Sequence, residues 1–183
     1  MNFLSIASKA AARLFRGNQQ PANKLPLGGK FHVEHFNKAG EKIGDYDFPN
    51  GITDEGLNHI LDTQFGGTTA VSPWYVGLIN DSGFSALAAA DVMNSHAGWA
   101  ETDAYTEGNR VEWTEGTAAA RSITNAATMD FSINATVTIN GIFVTSDNTK
   151  LGTTGVLWAT ASFSSAVSAT NGDTLKVTYT VSG

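Results

Sequence analysis

Hydrophobicity alternates without interruption in residues 128–140, TMDFSINATVTIN. Every odd-numbered position from Met129 to Ile139 is apolar, and every even-numbered position is polar. Successive side chains of a β-strand point to opposite faces, so this period of two predicts a strand with one buried face. Thirteen residues would extend for about 43 Å, which is longer than most strands, and we therefore expect a bend near Asn134 and Ala135.

The same pattern recurs on both sides of this stretch. Residues 174–182 alternate as cleanly, and residues 31–36 and 43–48 read as a hairpin in which Gly40 takes the left-handed conformation. The segment WYVGLIN, residues 74–80, is apolar on both faces and suits a strand in the middle of the core. Eight or so short strands separated by Gly, Asn and Asp turns predict an antiparallel β-sandwich of the immunoglobulin-like or jelly-roll kind.

One helix interrupts the strands. Thr53 or Asp54 can cap it, and Gly66 follows its last apolar residue. His59 lies away from the apolar stripe, where an exposed side chain is expected. The stripe recurs at helical spacing and consists of Leu57, Ile60, Leu61 and Phe65.

Charge divides the 183 residues into two parts. Residues 1–42 hold seven of the eleven basic residues and two of the seventeen acidic ones, a net charge of +5. The remainder carries −11, which gives −6 for the whole chain. An acidic body argues against nucleic-acid binding, which needs a basic face to displace counterions from phosphates. The chain has no cysteine, so disulfides, thiolate metal sites and cysteine nucleophiles are excluded.

Residues 1–29 form a basic arm and linker, and residues 30–183 form the predicted β body. Residues 3–16, FLSIASKAAARLFR, predict an amphipathic helix that needs a surface to dock on. Its candidate anchoring residues are Phe3, Ala7, Lys9, Ala10, Arg13, Leu14 and Arg16. We favour docking on a partner, while packing on its own body and a mitochondrial transit peptide are alternatives. Lys9 and Arg13 argue against a secretory signal, and no apolar run is long enough to span a membrane.

No motif for catalysis, a cofactor or a metal stands out. The chain lacks a nucleophile elbow, a P-loop, a dinucleotide fingerprint and an H-E-x-x-H pair. His32 shares a strand face with Glu34, and Asp45 shares one with Asp47, but neither pair has further ligands at a recognised spacing. We therefore predict a protein that is not an enzyme and that needs no metal or cofactor.

The segment SHAGWAETDAYTEGNRVEW, residues 95–113, concentrates aromatic and charged side chains. Flat rings stack on sugars and carboxylates accept hydroxyl hydrogen bonds, so a glycan site is one interpretation. In the other interpretation, the rings are buried in the hydrophobic core and Arg110 forms an ion pair with Glu101 or Asp103. The candidate ligand-binding residues are Trp99, Tyr105, Arg110 and Trp113.

Several of these segments, in this order, resemble the small accessory virion proteins of tailed bacteriophages, of the head decoration (cement) or head-fibre type. The resemblance covers residues 30–183 and leaves the arm outside. The segments are FPNGITDEGLNHILDTQF (48–65), WYVGLIND (74–81), ADVMNSHAGWAE (90–101), SITNAATMDFSINATVTINGIFV (122–144) and GDTLKVTYTVS (172–182), with Tyr105, Arg110 and Trp113 between the third and fourth.

The resemblance implies a β-sandwich on the outer capsid surface of a virion, often as a homotrimer, with the major capsid protein or other virion proteins as partners. A protein bound to a shell needs no catalytic group, and many weak contacts on a lattice hold together through multivalency. The arm is then expected to anchor the protein to the shell or to a neighbouring protomer. The alternatives are a tail-associated protein and a carbohydrate-binding module that uses residues 95–113 on a host-surface glycan.

Overall fold

The computed structural model describes residues 27–183. The helix predicted for residues 3–16, with all its candidate anchoring side chains, lies outside them. No helix in the described part is long and apolar enough to cross a membrane. The elements are β1 (Gly28–Phe36), β2 (Lys42–Ile52), α1 (Asp54–Phe65), β3 (Trp74–Asn80), β4 (Glu101–Thr102), β5 (Val111–Trp113), β6 (Ser122–Thr124), β7 (Met129–Ser132), β8 (Val137–Thr145), β9 (Leu157–Ala169) and β10 (Thr174–Ser182).

These strands form an antiparallel sheet that curls into a half-barrel. The order along the sheet is β4-β3-β8-β9-β2-β1-β10-β6, with β5 paired to β3 and β7 paired to β10. Strand β2 joins the two halves, because most of it pairs with β1 whereas Gly51 and Ile52 pair with Thr160 and Ala159 of β9. The prediction of a mainly β protein with antiparallel strands is confirmed.

The main core fills the concave face of the curled sheet. Phe31 and Val33 of β1 lie opposite Tyr179 and Val177 of β10, and all four are fully buried. The rings of Phe31 and Tyr179 stack with centroids 4.3 Å apart. From the other half of the sheet, Trp113 meets Tyr179 edge to face at 4.9 Å, so the two halves share one core. Burying each such side chain contributes about 1.5–3 kcal/mol.

The alternating stretch of residues 128–140 contributes to two strands. β7 ends at Ser132 and β8 begins at Val137, so the bend expected near Asn134 is confirmed. Beyond it, the register of β8 against β9 shifts between Ile139 and Gly141. A side chain on Gly141 would place its Cβ 2.3 Å from a backbone oxygen of the neighbouring strand, so glycine permits this bulge.

Helix α1 lies directly on β9. Thr53 caps it by accepting a hydrogen bond from the amide of Gly56 at 3.0 Å. Gly56 is buried, and a Cβ there would come within 2.5 Å of the Trp158 carbonyl oxygen, so this side of the helix approaches the strand most closely. His59, one turn later, is half-buried and meets the ring of Trp74 edge to face at 5.8 Å. The predicted exposure of His59 is therefore wrong.

A long loop adds a second layer outside the sheet. Within residues 81–100, Trp99 packs against Ile79 and Phe143 on the convex face of β3 and β8, and the Trp99 and Phe143 ring centroids lie 5.1 Å apart. Residues 85–93 form a packed loop, although their alanine-rich sequence would also be compatible with a short helix. Because this loop covers the convex face of β3 and the main core covers its concave face, β3 is apolar on both faces.

Candidate interaction surface

The three aromatic residues of the predicted glycan site are buried. Trp99, Tyr105 and Trp113 expose 4%, 1% and 5% of their surfaces. Tyr105 and Trp113 belong to the main core, whereas Trp99 belongs to the cluster on the convex face. The structure therefore does not bring these rings together at an open site, and their burial supports the interpretation in which they plug the core.

Arg110 forms a buried ion pair with Glu101, as the second interpretation of this segment predicts. Its Nε donates to Glu101 Oε1 at 3.0 Å and its Nη2 donates to Oε2 at 2.7 Å, which gives a bidentate geometry. The guanidinium also donates to the carbonyl oxygens of Asp147 at 2.9 Å and Gly152 at 2.8 Å. Side-chain exposure is 0% for Arg110 and 5% for Glu101, so water cannot replace these bonds.

This ion pair ties two loops together. Glu101 Oε2 accepts a further hydrogen bond from the amide of Leu151 at 2.8 Å. Lys150 Nζ lies 3.7 Å from the centroid of the Tyr105 ring and donates to the Tyr105 carbonyl oxygen at 2.6 Å. Burial, and then the nearby Glu101 carboxylate, raise the pKa of Tyr105, so its phenol stays neutral. Arg110 is thus a structural residue that fixes the loop after β8 against the segment between β4 and β5.

Helix α1 presents an apolar stripe to solvent, which we call the α1 stripe. It consists of Leu57, Leu61 and Phe65, whose exposed fractions are 41%, 55% and 82%. Sequence periodicity finds this stripe but does not reveal which way it faces. Gly56 is the residue in the sequence that indicates the orientation of the helix, because a glycine inside a helix often marks the side that approaches another backbone closely.

On the other side of α1 lies an apolar groove with a volume of about 460 Å³. Three of the four tryptophans of the chain line it, Trp74, Trp113 and Trp158, and we call it the tryptophan groove. The indole N–H of Trp113 is buried and finds no acceptor among residues 27–183. Glu115 is the one charged side chain among the described residues that line the groove.

The outer face of the β1–β2 hairpin gathers the polar pairs noted in the sequence. His32, Glu34 and Asp45 place ligand atoms within 4.8 Å of one another, and His32 Nδ1 lies 3.2 Å from Asp47 Oδ1. Lys42 already occupies this cluster, since its Nζ donates to Glu34 at 3.0 Å and also to Asp45. The hydrogen bond from Lys42 lowers the pKa of Asp45, and the arrangement is an exposed network of ion pairs.

A second histidine is buried at the far end of β1. His35 Nε2 lies 3.0 Å from Asp173 Oδ2, and the same oxygen accepts a hydrogen bond from the amide of Thr170 at 2.8 Å. Burial alone would raise the pKa of Asp173, but the hydrogen bonds from Thr170 and His35 outweigh it and lower that pKa. His32 and His35 are three residues apart on β1 and point to opposite faces of the strand, one partly exposed and one buried.

The described residues therefore offer two apolar surfaces for recognition, the α1 stripe and the tryptophan groove, on the two sides of one helix. Both suit contact with another polypeptide, because exposed apolar side chains gain free energy when they are covered. Neither a protein-family model nor a curated protein matches the sequence.

Proposed function

We propose that this protein is a structural virion protein of a tailed bacteriophage that decorates or cements the capsid, as a head decoration or head-fibre protein. The observation that carries the proposal is the α1 stripe, which gives the body a ready contact surface for another protein. The bacteriophage part of the proposal rests on the resemblance of residues 30–183 to accessory virion proteins.

The α1 stripe supports an assembly role because of its shape and exposure. Leu57, Leu61 and Phe65 recur every four residues, so they form one continuous line along the helix. Scattered apolar residues are normal on protein surfaces, but a contiguous line of large ones marks an interaction site. Fully covering a Leu or Phe side chain contributes about 1.5–3 kcal/mol, and many copies on a lattice multiply such modest contacts.

The outward face of β9 also supports contact between copies. Ser162, Ser164 and Ser168 are exposed there, and the hydroxyl oxygens of Ser168 and Thr138 of β8 lie 3.4 Å apart. Neutral hydroxyl groups are less costly to remove from water than charges, so this face can be covered by a neighbouring protomer. A homotrimer on the outer capsid surface uses this face between copies.

The β-sandwich predicted from the sequence is part of the same proposal. Its support is the bridging role of β2 and the contacts across the core, where Trp113 of β5 meets the ring of Tyr179 of β10 edge to face at 4.9 Å. These contacts join strands from the two halves of the curled sheet. In this arrangement the acidic body projects outward and the basic arm, residues 1–29, anchors the protein to the shell or to an adjacent protomer.

The first test counts the protein in purified virions of the phage that encodes it. The measurement is its gel band intensity relative to the major capsid protein, combined with immuno-electron microscopy using antibodies against the purified chain. Hundreds of copies over the head support decoration, and a few dozen at discrete points support a head fibre. A handful of copies on the tail, or no copies in the virion, would overturn the capsid assignment.

A second test addresses the α1 stripe. Leu61→Asp and Phe65→Asp place a charge in its centre and at its end, whereas Asn58→Asp adds the same charge at an exposed polar position of the same helix. We expect the first two variants to lose incorporation into virions while melting at the same temperature as the parent protein, and Asn58→Asp to incorporate normally. Equal incorporation of all three would show that the stripe is not a contact surface.

A further inference from the structure

The tryptophan groove has a mostly apolar lining and is open to solvent. Its apolar lining is formed by both halves of the sheet together with α1. Leaving such an apolar surface in water is unfavourable. The apolar residues that line the groove include Ile60, Trp74, Trp113, Ile123, Trp158 and Val181.

The described chain begins beside this groove. Gly29 of β1 pairs with Val181 of β10, and Val181 pairs on its other side with Ile123 of β6. Val181 and Ile123 both line the groove. Leu27, the first described residue, packs against the core cluster that includes Trp113 and Trp158. The described part of the chain therefore begins next to the groove wall.

The sequence of the arm is complementary to the groove in polarity and charge. Residues 3–16 carry the predicted apolar stripe that includes Phe3 and Leu14, which suits the tryptophan wall. Residues 1–29 contain four basic residues and no acidic one, whereas the groove is lined by the acidic side chain of Glu115. An amphipathic helix laid into an apolar groove is a recurrent mode of recognition, and here the charges also attract.

We propose that, in the free protein, residues 3–16 dock into the tryptophan groove of their own chain. The twelve residues between Leu14 and Leu27 can span up to about 40 Å, so the linker is long enough for residues 3–16 to reach the groove. A short tether gives an effective concentration in the millimolar range, which favours the groove of the same chain over that of a second copy.

This inference concerns the isolated protein and goes beyond the capsid role proposed above. A docked arm covers its own apolar side chains until assembly offers a competing surface. On anchoring, the arm would exchange its apolar contact with the groove for an apolar contact with the shell. The following test uses purified full-length protein alone, so its result is independent of whether the protein joins a virion.

Because the chain has no cysteine, engineered pairs report proximity without background. The test pair is Leu14→Cys with Gln64→Cys, since Gln64 is an exposed residue of the groove rim. The control pair is Leu14→Cys with Ala39→Cys, at the exposed tip of the β1–β2 hairpin. That tip lies about 30 Å from the start of β1, within reach of an undocked arm. Oxidation is followed on non-reducing gels at low protein concentration.

We expect the test pair to form an intramolecular disulfide about tenfold faster than the control pair, because docking raises the local concentration at the rim alone. Equal rates for the two pairs would mean that the arm is undocked, and disulfide-linked dimers as the main product would place it in a second copy. Either result would overturn the proposal.

A second measurement uses the tryptophans themselves. Leu14→Asp in the otherwise unaltered chain should shift tryptophan emission to longer wavelength and raise its quenching by iodide, because three of the four tryptophans line the groove. Ser8→Asp, on the polar part of the arm, adds the same charge and serves as the control. Identical spectra for both variants and the parent would contradict docking.

Discussion

Removing the guanidinium of Arg110 is expected to destabilise the body more than any ordinary surface change. Arg110→Ala leaves the Glu101 carboxylate buried, with the amide of Leu151 as its remaining donor in the described structure. It also takes the charged donor away from the carbonyl oxygens of Asp147 and Gly152. The variant therefore has a buried carboxylate without its counterion and two carbonyl oxygens that have lost a hydrogen bond.

The magnitude follows from the burial of the pair. Removing one partner of a buried ion pair costs about 3–5 kcal/mol, because the other charge stays desolvated without its counterion. For a body of this size, each kcal/mol lowers the melting temperature by about 2–4 °C, so a loss of about 6–20 °C is expected. Arg110→Lys keeps the charge but loses the bidentate geometry with Glu101, and we expect an intermediate loss in the free energy of unfolding.

The assay is urea unfolding followed by tryptophan fluorescence, with the free energy of unfolding extrapolated to water. The double variant Arg110→Met with Glu101→Met is the matched control, since replacing both charges by apolar side chains is often close to neutral. We expect it to recover most of the stability lost in Arg110→Ala. A loss below about 1 kcal/mol for Arg110→Ala would mean that the pair behaves like an exposed one, because exposed ion pairs contribute that little, and it would contradict a structural role for Arg110.

Gly56→Ala should destabilise the protein by about 1–3 kcal/mol in the same assay, because the new Cβ would lie 2.5 Å from the Trp158 carbonyl oxygen. Asn58→Ala, on the exposed side of α1, should change stability by less than about 0.5 kcal/mol. Tyr179→Phe removes the hydroxyl that accepts from Trp158 Nε1 at 2.9 Å and should cost about 1–3 kcal/mol, and an unchanged midpoint would mean that water replaces it. Hydrogen bonds from the turn before β10 lower the pKa of Asp173 despite its burial, so they stabilise the fold above about pH 4 and this contribution is lost as pH falls further. The stability advantage of the parent over Asp173→Asn should therefore shrink between about pH 5 and pH 2, and a constant difference would contradict the assignment.

Local pattern was sufficient to predict most of the sheet. The alternation in residues 128–140 predicts β7 and β8, and its excessive length predicts the break between them. Gly40 has the positive φ of 81° expected for the hairpin turn. The short strands β4 and β6 were not predicted, because two or three residues carry too little periodicity and their pairing depends on distant partners.

The exposed and buried faces of α1 and of residues 95–113 were harder to predict, because they depend on which other element packs against each face. The periodicity of α1 contains two candidate faces, and the close approach of Gly56 to Trp158 selects the one that faces β9. Likewise, the aromatic composition of residues 95–113 is compatible with either a sugar site or a core plug. The second apolar cluster around Trp99 exists only because the loop folds back over β3, which local sequence does not specify.

The pairing of β1 with β10 has a consequence for how the protein folds. Gly28 lies opposite Ser182, so the first and last strands of the described chain are neighbours and their contacts span the greatest sequence separation in the body. Contacts of high sequence separation slow folding, because loop-closure entropy is lost before the contacts form. During synthesis, β1 cannot pair with β10 until β10 has left the ribosome, so the apolar side chains of β1 stay partly uncovered until then. The half-barrel is therefore expected to close after synthesis rather than during it, and the unpaired edge of β1 is the segment at greatest risk of aggregation until then.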